Sequence, residues 1–165
     1  MLVQIASLSL VVLLLYGAFT DATRFIIPNW LTIAVAVLFP VAAVLAGIGW
    51  ADAGNHLLAG LLALVLGMAL FAPGWIGGGD AKLFAATALW FGWPGLAGFL
   101  IHTVLLGGVL VLVLLIARKA LPMAGISPEK LDGSALAPAA PVPYGIAIAG
   151  GALWSLPATV FAFQF

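Results

Sequence analysis

Long apolar runs and a shortage of charge limit this chain more than any other feature. Six runs follow one another: Leu2–Thr20, Trp30–Trp50, Leu57–Ala72, Ala81–Trp93, Leu96–Ala117 and Tyr144–Phe163. About 20 apolar residues in a helix cross the hydrocarbon of a bilayer. Only 6% of the 165 residues are charged, against roughly a quarter in a soluble domain, so the chain cannot cover a water-facing surface. The expected fold is all-α: a polytopic membrane protein with about six transmembrane helices, the fourth short, and the lipid bilayer as its first partner. Residues 1–165 read as a single transmembrane domain with a polar loop at about 118–142. Leu2–Thr20 has no Lys or Arg before it and exceeds the usual apolar core of a signal peptide, so it is read as a retained first helix.

Charge then gives an orientation. If each run crosses once, Arg24, Lys82, Arg118, Lys119 and Lys130 fall on one side, and they are all the basic residues of the chain. The other side carries Asp52, Asn55 and His56. Basic loops stay in the cytoplasm, which predicts both termini outside. The net charge of zero offers nothing to nucleic acid.

The same assignment brings two acids level. Pro73–Lys82 reads Pro-Gly-Trp-Ile-Gly-Gly-Gly-Asp-Ala-Lys, and Asp80 opens the short fourth run. Asp21 closes the first run and comes out at the same cytoplasmic boundary. A carboxylate at the edge of a membrane segment is costly and marks a functional site until shown otherwise. Two carboxylates held together do not both ionise easily and share a proton. The ionised member can activate a water while the protonated one polarises a carbonyl, which is peptide hydrolysis by general acid–base catalysis. Gly77, Gly78 and Gly79 have no side chains, so a substrate backbone can approach and positive φ is open to them. Asp80 alone would serve as a helix N-cap, and Asn29, after Pro28, as the N-cap of the second helix. Arg24, three residues from Asp21, is placed to pair with it on one helical turn.

Other chemistries find little support. Without cysteine there is no thiol catalysis, disulfide or cysteine metal site. His56 and His102 are the only histidines and no His-Glu-x-x-His occurs, so neither a metal nor any other cofactor is expected. His102 and Ser155 share the outer half of the membrane, but no Gly-x-Ser-x-Gly accompanies them. Gly77–Lys82 lacks the Gly-Lys-Ser/Thr of a phosphate loop. The six tryptophans lie mostly near run ends, as an interfacial belt does, and Gly107-Gly108 is suited to close helix packing. The rival from another class is a small transporter subunit that moves protons or ions on Asp21 and Asp80.

Three motifs carry a family resemblance. Asp21…Arg24…Ile27-Pro28-Asn29, then Gly77-Gly78-Gly79-Asp80-Ala81-Lys82-Leu83, resemble the type IV prepilin peptidases, and Gly-Gly-Gly-Asp fits the wider Gly-x-Gly-Asp intramembrane aspartyl protease pattern. Pro143-Tyr144-Gly145-Ile146-Ala147-Ile148-Ala149 is similar to the Pro-aromatic-Gly opening of the family's last conserved helix. The resemblance implies an aspartic endopeptidase of the bacterial inner membrane whose active site faces the cytoplasm. Such enzymes remove the basic leader of prepilin-like precursors, cutting after a glycine just before the apolar stem. It implies Asp21 and Asp80 as catalytic residues, with Arg24, Gly77, Gly78, Gly79, Lys82, Tyr144 and Gly145 binding substrate or supporting the site. Larger members carry an N-terminal region with paired cysteines and methyltransferase activity. This chain begins at its first helix and has no cysteine, so peptidase activity alone is expected, as in the compact members that serve Flp-type pili and archaeal preflagellins.

Overall fold

The computed structural model describes residues 1–162. The sixth expected run extends to Phe163, which lies outside them. The described chain is helical: α1 (Leu2–Arg24), α2 (Asn29–Leu45), α3 (Trp50–Phe71), α4 (Gly78–Ala88), α5 (Gly92–Met123) and α6 (Tyr144–Ser155), with 3-10 turns at Pro128–Leu131 and Leu156–Ala158. By length and composition α1, α3 and α5 can each cross a membrane, whereas α2 and α6 are shorter apolar helices. The fold is that of an all-helical, polytopic membrane protein.

Most runs lengthen in the structure. α5 takes in Arg118 and Lys119 and continues to Met123, so the long connection starts later than its composition implied. α3 begins at Trp50 rather than Leu57. α2 stops at Leu45, and Gly47, at φ +70°, turns the chain toward α3. α4 opens at Gly78, before the acid that seemed to begin it.

α4 is the shortest of the six and sits inside the others, packed on α2, α3 and α6. Its Ala81, Leu83 and Ala85–Ala88 are buried. Small residues let the neighbouring backbones close in. A Cβ on Gly67 of α3 would stand 3.0 Å from Ala81 Cβ, and one on Gly60 would meet Leu89 Cδ2 at 2.5 Å. Lipid is as apolar as leucine, so helix association in a membrane rests on such packing and on interhelical hydrogen bonds. Gly107 does the same between α5 and α6, 3.6 Å from Ala147 Cβ, but Gly108 faces open space.

The far end of α4 stops within the bundle, where a bare carbonyl is costly. His56 Nδ1 meets the Leu89 carbonyl at 2.6 Å. The chain then turns through Gly92, at φ +61°, with the His56 ring only 3.0 Å from where a Cβ would be. Trp90 in this turn departs from the aromatic-belt expectation. It is fully buried and donates its indole N–H to the Val35 carbonyl at 3.1 Å. The remaining five, Trp30, Trp50, Trp75, Trp93 and Trp154, are exposed.

Candidate active site

α1 ends one turn past the last apolar residue of its run, and Asp21 lies in that turn. Phe25 closes the helix in the left-handed region, φ 55°, with its amide on the Asp21 carbonyl at 2.9 Å. A non-glycine residue there is uncommon. It swings the chain so that Ile27 is buried against α4, where a Cβ on Gly79 would stand 3.1 Å from Ile27 Cβ. The first and fourth helices are thereby drawn together at the end that carries both acids.

Asp21 is 6% exposed. Its Oδ2 accepts the backbone N–H of Gly145 at 2.7 Å. Gly145 is the second residue of α6, so the amide is one of the donors a helix leaves unpaired at its start. The approach leaves no room for a side chain, since a Cβ on residue 145 would lie 2.9 Å from that oxygen. Arg24, by contrast, is exposed and forms no ion pair with Asp21 among the described residues. The expected pairing on one helical turn gives way to a contact across the bundle.

Asp80 occupies the third position of α4, not its N-cap. Gly77 is the N-cap, and its N–H donates to Asp80 Oδ2 at 3.2 Å. The acid folds back over the first turn, where the helix dipole favours an anion by roughly 0.3–1 kcal/mol. Its Oδ1 is buried and has no hydrogen-bond partner among the described residues. The two carboxyl groups are neighbours, close enough for the Asp21 charge to act on Asp80. Each sits at a helix N-terminus, Asp21 against α6 and Asp80 within α4. One oxygen of the pair remains uncommitted.

The three glycines serve the protein's own packing. A Cβ on Gly77 would be 2.7 Å from Asp80 Oδ2 and one on Gly78 would be 3.3 Å from the Phe71 ring. Positive φ is not used there: Gly77 has φ −71°, and Gly78 and Gly79 are helical. Lys82 Nζ donates to Asn29 Oδ1 at 3.0 Å and so links α4 to the start of α2. The N-cap of α2 is Pro28, and the Asn29 side chain turns outward to the lysine instead of capping. The Tyr144 ring packs over Gly107 of α5, about one van der Waals contact from its Cβ position.

Arg118 is the residue that sequence reasoning missed. It had counted only toward orientation. Its guanidinium donates to the carbonyls of Ala135, Ala140 and Pro141 at 2.8–3.2 Å. It gathers the long connection a few residues before Pro143, which is fully buried, and Gly145. The one signal available was a lone arginine ahead of a proline- and alanine-rich segment, which has many carbonyls and few partners.

At the other end of the bundle His102 Nδ1 and Ser155 Oγ are 2.8 Å apart, with the His102 ring stacked on Trp154 at 4.9 Å. The residues weighed as a serine–histidine pair do meet. No carboxylate orients His102 among the described residues, and Ser155 is buried where α6 ends. No cluster of three or more potential metal ligands occurs among the described residues.

No curated protein and no solved structure matches the chain. A family model, described as the type IV leader peptidase family, matches residues 8–115, which takes in both acids and α1–α4 with most of α5. α6, which supplies the Gly145 amide, lies beyond that stretch. On a match over more than half its length, in a chain built of membrane-spanning helices, this protein belongs to the type IV leader peptidase family and is a membrane protease.

Proposed function

We propose that Asp21 and Asp80 are the catalytic pair of an aspartic endopeptidase. Its reaction is removal of the leader from prepilin-like precursors, the Flp-type pilins, at the cytoplasmic face of the bacterial inner membrane. No methyl transfer accompanies it. The observation that carries this reading is the convergence of two acids, 59 positions apart in sequence, at one buried spot between three helix ends. The rival, ion-coupled transport on the same acids, loses its ground to the family membership.

Hydrogen bonding divides the labour. The Gly145 amide at 2.7 Å suits Asp21 to carry the negative charge. The bare Oδ1 suits Asp80 to carry the proton. Asp21 takes a proton from water as the water oxygen bonds to the scissile carbonyl carbon. Asp80 gives its proton to the carbonyl oxygen. When the resulting gem-diol collapses, the C–N bond breaks and the leaving nitrogen takes the proton from Asp21. Asp80 recovers one from the diol hydroxyl. The pair returns to its starting state, and no covalent intermediate is needed. Gly77, Gly78 and Gly79 hold Asp80 in its turn, and Gly145 holds Asp21. Tyr144, Lys82 and Arg24 frame the site without touching either carboxylate.

Co-expression with a Flp-type prepilin tests this directly. Leader loss is followed as a mass shift. Asp21→Asn and Asp80→Asn should each abolish it, and normal processing by either variant would end the proposal.

A further inference from the structure

The lipid-facing side of α4 is left open. α2 and α3 are joined by four residues, 46–49, yet they hardly touch along their lengths, because α4 lies between them and packs on both. In front of α4 this leaves a groove of about 390 Å³. Its floor is Lys82, Ala85, Ala86 and Leu89 of α4; Ile33 and Ala36 line the α2 wall, and Leu57, Gly60, Leu61 and Leu64 line the α3 wall. Apart from Thr32 and Lys82 at one end the lining is apolar. That end is where Lys82 meets Asn29, two residues along α4 from Asp80.

We propose that this groove seats the apolar transmembrane stem of the substrate. The inference rests on the peptidase reading and adds where the precursor lies and which residues select it. Three features favour a helix over a lipid chain as the occupant. The floor and walls present small residues, Ala36, Gly60, Ala85 and Ala86, which admit a helix backbone as in other membrane helix pairs. The lined part of α3, Leu57–Leu64, is about 10 Å long at 1.5 Å per residue, two turns of a docked helix. The groove is also continuous with the site. The helix that floors it carries Asp80 at its start, so a stem lying along α4 brings its cytoplasmic end to the carboxyl pair. Cleavage would fall just beyond the seated segment, and the fit of the first two turns of the stem would select precursors.

The test is photo-crosslinking in membranes. A benzophenone amino acid is placed at Ile33 or Leu61, both exposed groove residues, or at Leu112 on the exposed face of α5 as a control. The chain carries Asp80→Asn to leave a prepilin-like precursor uncut. Adducts with the precursor are expected from positions 33 and 61 and not from 112. Adducts with lipid alone at 33 and 61, or with the precursor only at 112, would overturn the proposal. In the otherwise wild-type chain, Leu61→Trp and Ile33→Trp should lower kcat/KM for the membrane-anchored precursor at least tenfold. They should leave cleavage of a peptide that ends before the stem unchanged. Equal losses on both substrates would overturn the groove and spare the peptidase. A wild-type chain that cuts neither would break the peptidase reading, and this inference with it.

Discussion

The two ends of the helix bundle handle buried polar groups in opposite ways. At the far end His56 is spent on the Leu89 carbonyl, Trp90 on Val35, His102 on Ser155 and Ser7 on the Phe161 carbonyl at 2.7 Å. At the near end Asp21 and Asp80 each hold one backbone amide, and Asp80 keeps a buried oxygen bare. The far end also has the larger cavity, about 470 Å³, lined by Asp52, Asn55, His56, His102 and Ser155 among aromatic side chains. Cavity size therefore does not find the chemistry here. Polar groups that satisfy one another hold helices together. An unsatisfied acid beside a second acid is poised to react, because leaving such a group unpaired costs stability that only a function repays.

Removing the acids should break the contrast most severely. Asp21→Asn or Asp80→Asn should lower processing by about 10³-fold or more, since general acid–base groups each contribute roughly 10²–10⁴. The chain should still assemble, and a melting temperature in detergent within a few degrees of wild type would separate chemistry from folding. Next comes Gly145→Val. Its side chain must enter the space of Asp21 Oδ2 and push the carboxyl aside. A displacement near 1 Å costs on the order of 10²-fold in rate, read in the same precursor assay. Wild-type activity in Gly145→Val would mean that the amide contact does not position Asp21.

Arg118 gives a smaller effect with a different signature. Arg118→Ala deprives three carbonyls of their donor, and a charged hydrogen bond is worth about 1.5–3 kcal/mol. Residues 124–142 should become more open to added protease, and precursor cleavage should fall several-fold. Arg118→Lys should restore part of both, because a lysine supplies the charge without the planar fork. The smallest expected effect lies at the far end. Ser155→Ala should cost about 1 kcal/mol of stability and leave precursor cleavage within twofold. A serine-directed inhibitor should have no effect on the wild type. A large loss of activity in Ser155→Ala would erase the distinction between the two ends.

Glycine illustrates how a correct residue can carry a different reason. Gly77–Gly79 stand out in the sequence as a gap for substrate and a place for positive φ. In the structure they are helical or extended and lie against Asp80, Phe71 and Ile27. A glycine's freedom is visible in a sequence, but what it is pressed against is not. Trp90 teaches the same lesson. Its place near the end of an apolar run fits an interfacial anchor, yet its indole is buried on α2 because α4 ends inside the bundle.

The sequence by itself determined that the chain is helical and built for a membrane, and it put the five basic residues and the two acids at the same end. These follow from transfer energies and charge, which add up locally along the chain and need no knowledge of neighbours. Only the tertiary structure decided that Asp21 meets an amide 124 residues away. It alone set Lys82 on Asn29, used Arg118 to gather the connection into α6, and left a groove between α2 and α3. The reason lies in the solvent. Lipid and protein interior are both apolar, so a membrane helix need not show in its pattern which face is buried. Helix rotation and partner choice are then set by where small residues and a few hydrogen-bonding groups fit together, and that is a property of the packed bundle.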